Sequence, residues 1–403
     1  MNFTGTVVNR QLLVPAQYPT IQAAIDAAQD GDLVIVSQGT YVENLDFKGK
    51  AITVRSTDPS DPAVVASTVI DGGQNGPVVT FHSGETADAA LTGFTITNGW
   101  IGIIISKAAP TIMANVIRDN KEHGIWVQGG WPVIAGNVIE ENGVIGGRSG
   151  GGIYAAEGGP VIRDNIIRGN KADYGGGAYL HNNAPDLVFT RNTVQENVGI
   201  FAGGGVWVAG TSFETSHNTI ERNSTGGCGG GISWLSGNMT IRNSTIRGNT
   251  ASGDGGGIYA VGPPTLVATS NTIEGNTAAG NGGGIFAHSS TLVATSNTIE
   301  GNTAVGDGGG ICLGNSGWLS SSVINDNLIA QNGARNGGGL YLVQWARARV
   351  FANRFNANTA AGCGGAIRVS ADSRIQDDQG RPLPDPDTYN TYSGNSPDDV
   401  YYE

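Results

Sequence analysis

Apolar and polar residues alternate along most of the chain in a pattern that returns about every 26 residues. Residues 265–278 and 291–304 share the sequence TLVATSNTIEGNTA, and each copy is followed after three residues by Gly-Gly-Gly-Ile. From residue 153 onward, the apolar residue that follows the glycines recurs every 25 to 29 residues. A fixed period between identical copies indicates a repeat architecture rather than several globular domains.

Each repeat contains three short stretches in which every second residue is apolar. In residues 150–169 these stretches read GGGIYAA, PVIRD and NIIRG. None has helical periodicity, and about 26 residues leave no room for a helix between parallel strands. The pattern predicts an all-β parallel β-helix of about a dozen coils, stacked at roughly 4.8 Å around columns of inward Ile and Val.

A second motif, Asn-x-[Ile/Val/Phe]-x-x-Asn, runs in step with the first. It begins at Asn115 and continues to Asn358, with Ser244 in place of the first asparagine in one repeat. We expect the first asparagine of each repeat to lie at a tight bend, to adopt the left-handed conformation and to hydrogen-bond the asparagines of adjacent coils. The glycines permit close backbone approach where the chain re-enters the coil. A scaffold role therefore accounts for both motifs.

The two ends of the chain depart from this pattern. Residues 1–32 predict an N-terminal cap with one amphipathic helix that begins near Pro19 and Thr20 and ends at Gly31. Residues 33–370 form the predicted β-helix. Residues 371–403 predict an irregular, proline-rich loop and a last partial coil, which we expect to shield the C-terminal end of the stack.

These motifs resemble those of known β-helix proteins. Three strands per coil with an asparagine at the short second turn are similar to the right-handed parallel β-helix of the pectate lyase-like superfamily. The alternating Gly-Gly-Gly-Ile and Ile-x-x-Asn signals resemble the GGAI and FxxN repeats of polymorphic outer membrane proteins, which residues 355–358 and 364–367 match literally. Residues 18–47 are similar to the cap and first coil of many secreted bacterial β-helix proteins. Because this scaffold carries lyases, hydrolases, epimerases, esterases and adhesins, the resemblance implies a fold and leaves the activity open.

Composition and charge narrow the range of partners. The net charge of −12 repels nucleic-acid phosphates and anionic lipid heads, so we expect neither nucleic-acid binding nor membrane insertion. No apolar run is long enough for a transmembrane helix, and the first ten residues lack the apolar core of a signal peptide. Either the protein stays inside the cell or its leader has been removed, and the resemblance to export proteins favours the second alternative, with a secreted or cell-surface location. We also expect a monomer.

The outward residue next to the inward residue of each glycine strand is aromatic in seven of ten coils. Aromatic side chains at one position of successive coils predict an exposed row, and an exposed apolar row indicates a partner. The resemblance implies a polysaccharide groove along this strand, so these rings are candidate substrate-binding residues. The alternative is that the rings only stabilise one another across coils. The seven residues are Trp126, Tyr154, Tyr179, Trp207, Tyr259, Phe286 and Tyr341.

Charged and polar residues beside this row give a candidate catalytic cluster on two adjacent coils. Its members are Arg148, Glu157, Asp173 and His181, with Tyr154 and Tyr179 between them. A hydrolase would need two carboxylates across the bond, and a lyase would need a base and a partner for a uronate. The loops are short, however, and the chain lacks the diagnostic motifs of pectate lyases and polygalacturonases. Polysaccharide binding or processing therefore competes with a non-catalytic, adhesin-like or structural module.

Two further columns suggest other chemistry. Asp254, Asn281, Asp307 and Asn336 precede the glycines on four consecutive coils, so Asp254 and Asp307 are candidate Ca²⁺ ligands. Hydrogen bonding within tight turns is the competing explanation.

A column of threonines would suit ice binding, but the neighbouring column is charged. The three cysteines are too far apart in the predicted stack for a disulfide, and we expect free thiols.

Overall fold

Strands of one coil pair in parallel with the equivalent strands of the next coil throughout the chain. The computed structural model describes residues 9–143, 146, 149–184, 186–262, 265–314, 322–376, 381 and 389–403, without the side chain of Phe213. These residues form a right-handed parallel β-solenoid of about 13 turns, which confirms the predicted fold class and slightly exceeds the predicted dozen coils. Four parallel sheets, called A to D here, run along the solenoid axis.

Sheet A is the longest of the four and carries the first strand of each coil. Most of its inward residues are Ile, Leu, Val, Ala and Phe, which alternate with half-exposed residues as the period-two pattern predicts. Its fifteen strands are Gln11–Val14, Leu33–Val36, Thr53–Ser56, Ala90–Thr92, Thr111–Met113, Val133–Ala135, Val161–Arg163, Val188–Thr190, Phe213–Ser216, Met239–Arg242, Thr265–Thr269, Thr291–Thr295, Ser322–Asn325, Arg347–Phe351 and Arg374–Ile375.

Sheet B follows sheet A in each coil after one tight turn. Most of its strands have three residues, and the central residue of each points into the core. Its fourteen strands are Gly39–Val42, Thr68–Asp71, Thr95–Thr97, Val116–Arg118, Val138–Glu140, Ile166–Arg168, Thr193–Gln195, Thr219–Glu221, Thr245–Arg247, Thr272–Glu274, Thr298–Glu300, Leu328–Ala330, Arg354–Asn356 and Thr391–Ser393.

Sheet C contains the strands that follow the glycines. Inward Ile, Leu, Val and Ala alternate with the outward residues that the sequence singled out. Its fourteen strands are Leu45–Asp46, Pro77–Phe81, Ile101–Ser106, His123–Gln128, Ile153–Ala156, Ala178–His181, Val206–Ala209, Ile232–Trp234, Ile258–Val261, Ile285–His288, Ile311–Gly314, Leu340–Val343, Ile367–Val369 and Val400–Tyr402.

Sheet D lies between sheets B and C and was not predicted. Most of its strands have only two residues, such as Thr-Ala, which is too short to show an alternating pattern in the sequence. The prediction of three strands per coil is therefore incomplete from the coil that contains residue 171 onward. Its eight strands are Lys171–Tyr174, Val198–Ala202, Ser224–Thr225, Thr250–Ala251, Thr277–Ala278, Thr303–Ala304, Gly333–Ala334 and Thr359–Ala360.

Two short helices lie near the N-terminal end. The predicted helix spans Ile21–Ala27, and the Thr20 side chain caps it by accepting a hydrogen bond from the backbone N–H of Ala23. A second helix, Pro62–Ser67, was not predicted; Asp61 caps it and Pro62 occupies its first turn. The N-terminal segment also contributes the first strand of sheet A, Gln11–Val14, so the predicted cap is already part of the solenoid.

Two asparagine ladders hold the turns together. Asn197 illustrates the pattern: its Oδ1 accepts from the backbone N–H and the side chain of Asn170, and its Nδ2 donates to Ile167 O and Asn223 Oδ1. The prediction that asparagine itself is left-handed was wrong. The residue before the first asparagine has the positive φ, as Arg191 does at 52° before Asn192, because that turn aims the following asparagine side chain inward. The ladders are thus part of the buried scaffold.

Candidate functional site

The aromatic row runs along the outer face of sheet C and divides into two stacks. The first stack consists of Trp126, Tyr154, Tyr179 and Trp207, which are register partners on consecutive coils. Successive ring centroids are 6.0, 5.2 and 4.3 Å apart, and the ring planes differ by 10° or less. Parallel strands impose this arrangement, because they place equivalent side chains directly above one another.

The second stack begins at Tyr259 and continues towards the C-terminal end. Tyr259 stacks on Phe286 with centroids 5.5 Å apart. Cys312 and Tyr341 follow in register, and Tyr341 packs against the guanidinium of Arg368 at 5.5 Å. Ser233 separates the two stacks, since it is the register partner of both Trp207 and Tyr259.

The predicted exposure of the row is only partly correct. Trp126, Tyr154, Tyr179 and Tyr259 are half-buried, whereas the remaining three aromatic residues of the row are buried. Neighbouring rings cover one another's faces, so solvent meets mainly ring edges along each stack. The row therefore presents a surface of ring edges to solvent rather than open ring faces.

Exposed rings flank the first stack on the side of sheet D. Phe201 is 55% exposed and Tyr174 is 38% exposed, with ring centroids 5.5 Å apart. Tyr174 also meets Trp207 edge-on at 6.0 Å. The sequence analysis did not single out Phe201. The apolar residues 198–202, which precede the glycines in this coil, could have indicated a strand. The contacts of Phe201, however, depend on sheet D, which the sequence did not predict.

Polar side chains border the other edge of the first stack. Gln128 Nε2 donates to Glu157 Oε2 at 2.7 Å, which joins two consecutive coils. His181 lies on the next coil, where Asn182 Nδ2 approaches its Nε2 at 3.0 Å and where its ring packs 5.9 Å from Tyr179. The face thus has ring edges at its centre, exposed rings along one side and hydrogen-bonding groups along the other.

Two of the predicted catalytic residues, Glu157 and Asp173, lie at different places on adjacent coils. Glu157 directly follows a sheet C strand, whereas Asp173 lies in sheet D before the next glycine strand begins. Asp173 is also buried, and its Oδ1 accepts from the backbone N–H of Gly146 at 3.0 Å. Arg148 lies outside the described residues. Glu157 thus lies beside sheet C and Asp173 in sheet D, and their catalytic function stays a prediction.

Burial shifts the tyrosines of the row towards their neutral form. It raises the pKa of Tyr154, and the negative charge of Glu157 adds a smaller upward shift. Burial likewise raises the pKa of Tyr179, with smaller contributions from Tyr154 and Tyr174. For Tyr259, burial followed by the neighbouring Cys228 and Asp254 raises the pKa to about 12. The phenols are therefore hydrogen-bond donors at neutral pH rather than anionic bases.

Hydrogen bonds occupy the column that suggested Ca²⁺. Asp254 Oδ1 accepts from the backbone N–H of Asn281 at 2.6 Å and from its side chain at 3.1 Å. The Asp307 carboxylate accepts from Arg335 and from Asn336 Nδ2, each at 2.8 Å. Among the described residues, no group of three or more His, Cys, Asp or Glu side chains is placed to hold a metal ion. Cross-coil hydrogen bonding alone accounts for these residue types.

Two further observations concern the cysteines and the helices. Cys228, Cys312 and Cys363 are free thiols, as expected. In the part of the chain that the structure describes, neither helix has the length and apolarity that a membrane crossing requires.

Comparison with known families agrees with this architecture. A family model described as right handed beta helix region matches residues 25–194, 77–246 and 213–360. Overlapping matches are expected from a repeat, because the model can align with the stacked coils in more than one register. A search of curated proteins gave no significant match. The family matches together span residues 25–360, well over half of the 403 residues, and the chain belongs to the right-handed β-helix family.

Proposed function

We propose that this protein is an extracytoplasmic polysaccharide-binding β-helix that uses the first stack and its two borders as the binding face. The observation that carries the proposal is the combination of four in-register rings with exposed Tyr174 and Phe201 on one side and Gln128, Glu157 and His181 on the other. Sugars present apolar C–H faces and a rim of hydroxyl groups. A flat surface with an apolar centre and polar borders complements both.

The charge of the protein favours neutral polysaccharides. The chain carries a net charge of −12, and Glu157 stands beside the first stack. A uronate chain would bring carboxylates towards this negative surface, which is unfavourable without a bridging cation. The proposal therefore commits to neutral glycans as the principal ligands, and charged glycans serve as the comparison.

The binding test is affinity electrophoresis and calorimetry with a panel of neutral and uronate polysaccharides. We expect neutral glycans to retard the protein. The double variant Tyr174→Ala/Phe201→Ala should weaken binding about tenfold, since two ring contacts are lost. Tyr389→Ala is the control, because Tyr389 is as exposed as Phe201, at 54%, and lies just before a sheet B strand. If neutral glycans retard the double variant as strongly as the wild type, the first stack and its borders are not the binding face.

Processing of the polysaccharide is tested on the same panel. Reducing ends report hydrolysis, and absorbance of unsaturated products reports elimination. Because Glu157 follows one sheet C strand and Asp173 precedes the next, we expect binding without turnover. If products do accumulate and Glu157→Gln abolishes them, Glu157 acts in polysaccharide processing.

Fractionation of the producing cells checks the extracytoplasmic location, and light scattering checks the monomeric state.

The second candidate is a non-catalytic structural or adhesin-like module. One observation favours it: most ring faces in both stacks are covered by other rings, which is how aromatic residues stabilise neighbouring coils. A panel in which no glycan retards the protein, together with a loss of thermal stability in Tyr179→Ala, would support this structural function over glycan binding.

A further inference from the structure

A cavity opens at the corner between sheets B and C near the N-terminal end, outside the face described above. Trp100 lies at this corner, directly before the sheet C strand Ile101–Ser106, and is 50% exposed. The cavity measures about 350 Å³, at the lower end of the range for small-ligand sites, roughly 300–1,000 Å³. Four consecutive coils line it, with Gln74, Asn98, Trp100, Asp119, Lys121 and Glu141 among the lining residues.

The Trp100 indole has one covered face and one accessible face. The ammonium of Lys121, on the following coil, lies over the ring at 5.5 Å from the ring centroid and covers one face. On the preceding coil, Gly76 is the backbone neighbour of Trp100, because its carbonyl oxygen accepts from the Trp100 N–H at 2.9 Å. A Cβ atom on Gly76 would meet nothing within 4 Å. Together with the exposure of Trp100, this open position leaves the face opposite Lys121 accessible.

Neutral amide groups line the accessible side of the ring. Gln74 is exposed and lies on the preceding coil, where its backbone N–H donates to Asn98 O at 2.7 Å. The side chain of Asn98 is held beside the cavity, since its Nδ2 donates to Asp71 Oδ1 at 2.8 Å. An amide side chain carries both donors and an acceptor, and sugar hydroxyl groups likewise donate and accept. This side of the cavity therefore suits a polyhydroxylated ligand.

The charged residues of the cavity come from the two following coils. They are Asp119, Lys121 and Glu141, all exposed, so two carboxylates stand against one ammonium. This negative balance repels uronates, as the net charge of −12 does for the whole surface. Neutral amides on one side and a negative balance on the other both favour a neutral ligand.

We propose that this cavity, the Trp100 cavity, binds one neutral sugar unit of a polysaccharide. The C–H face of the sugar packs on the accessible face of the Trp100 indole, and its hydroxyl groups hydrogen-bond the amides of Gln74 and Asn98. The inference rests on the proposed polysaccharide-binding function and deepens it, because it adds a sugar contact with an accessible ring face outside the first stack.

The position of the cavity is compatible with the proposed binding face. Trp100 follows a sheet B strand and precedes a sheet C strand, as the sheet D residues Tyr174 and Phe201 do in their own coils. Tyr174 belongs to the coil three further on, roughly 14 Å away along the axis at about 4.8 Å per coil. A polysaccharide that runs along the solenoid axis can therefore contact both positions.

The test compares calorimetric binding of neutral glycans by the full-length wild type and three variants. Trp100→Ala removes the stacking surface, and we expect it to weaken binding about tenfold. Trp100→Phe keeps an aromatic face and should stay within about threefold of the wild type. Trp345→Ala is the matched control, because Trp345 is also an exposed tryptophan, at 55%, and follows a sheet C strand of the second stack. It should bind as the wild type does, and melting temperatures check that all variants are folded.

The outcomes separate this inference from the proposed function. Weaker binding by Trp100→Ala, with wild-type binding by Trp345→Ala, would support the cavity. Unchanged binding by Trp100→Ala would overturn the cavity and leave the first stack to be judged by Tyr174→Ala/Phe201→Ala alone. A loss in Trp100→Ala without one in Tyr174→Ala/Phe201→Ala would keep the cavity and reject the first stack. If the wild type binds no neutral glycan, both proposals fail, and a preference for uronates would contradict the assigned ligand class.

Discussion

At the scale of single residues, the buried asparagines contribute most to the identity of the fold. The Asn197 side chain is fully buried and makes four hydrogen bonds that join three coils. Ser244 is the exception in the other ladder, where its Oγ accepts only the backbone N–H of Asn218 at 3.2 Å. A small cavity lies beside it, lined by residues that include Asn218, Ile220 and Met239. The ladder therefore tolerates one substitution where neighbouring groups such as Thr215 supply another acceptor.

Replacement of one ladder asparagine should be costly. We expect Asn197→Ala to lower the free energy of unfolding by about 3 kcal/mol, because it leaves buried donors and acceptors of Asn170, Asn223 and Ile167 unpaired. Urea denaturation measures the change. Gln195→Ala, on the outer face of the same coil, is the control and should change stability by less than about 0.5 kcal/mol. Similar losses in both variants would show that the ladder has no special importance.

Because of Tyr259, the stability of the protein should vary with pH in the alkaline range. Its pKa is about 12 in the folded state, above the value of 10.0 for an unperturbed tyrosine. The phenol is protonated in both states below pH 10, but between pH 10 and about 12 only the unfolded chain ionises, so stability falls as pH rises through this window. Urea midpoints between pH 9 and 12 should fall less steeply in Tyr259→Phe. Tyr389→Phe should keep the wild-type slope, and an unchanged slope in Tyr259→Phe would contradict the assignment.

At the scale of elements, close contact between coils explains the glycines that precede each sheet C strand. A Cβ atom on Gly283 would lie 2.5 Å from Gly309 O and 2.6 Å from Thr303 O, which are backbone atoms of the next coil. Gly275 differs, because a Cβ atom there meets nothing within 4 Å, although its φ is +60°. Other coils carry Glu196, Arg222 or Gln331 at the equivalent left-handed position. The two classes of glycine therefore have different physical requirements.

A pair of glycine substitutions tests this distinction. We expect Gly283→Ala to destabilise the protein by about 3 kcal/mol, because two backbones must move apart to admit the methyl group. Gly275→Asn should change stability by less than about 0.5 kcal/mol, since asparagine tolerates the left-handed conformation and the site is open. Chemical denaturation of both variants provides the comparison. Equal destabilisation would mean that positive φ, rather than coil contact, determines where glycine is needed.

The alternation of apolar residues predicted sheets A, B and C well, but it did not predict sheet D. Strands such as Ile153–Ala156 and Thr291–Thr295 are long enough for the period-two pattern to place their inward residues correctly. A two-residue strand such as Thr277–Ala278 contains no complete period. Its strand conformation arises because the preceding and following coils hold equivalent residues beside it. The alternation of apolar and polar residues within one coil carries no information about this pairing between coils.

At the scale of the whole molecule, the solenoid behaves as a stack of units that contact only their neighbours. The perfect copies at residues 265–278 and 291–304 pair strand by strand, Thr265–Thr269 with Thr291–Thr295 and Thr272–Glu274 with Thr298–Glu300. Because equivalent residues face each other, one coil can be removed without changing the type of contact between those that remain. The proposed binding face at the first stack lies several coils away.

Deletion of residues 271–296 removes one 26-residue period and joins Ser270 to Asn297, which recreates the native sequence at the junction. We expect a folded, cooperatively unfolding protein that retains glycan binding at the first stack. Deletion of residues 271–297 is the control. One additional missing residue shifts the following strand out of register and turns its inward face outward, so melting temperature should fall sharply. Equal melting temperatures for the two deletions would argue against register as the determining factor.

The sequence by itself determined the period, the inward columns, the two asparagine series and the fold class, because these depend on residue spacing that repeats in every coil. Only the tertiary structure decided which residues carry the left-handed turns, that Asp254 and Asp307 accept cross-coil hydrogen bonds, and that Asp173 lies in a sheet D strand while Glu157 follows a sheet C strand. It also showed that successive rings of the aromatic row cover one another's faces. These features depend on side-chain direction and on contacts between residues about 26 positions apart, which the alternation of apolar and polar residues does not specify.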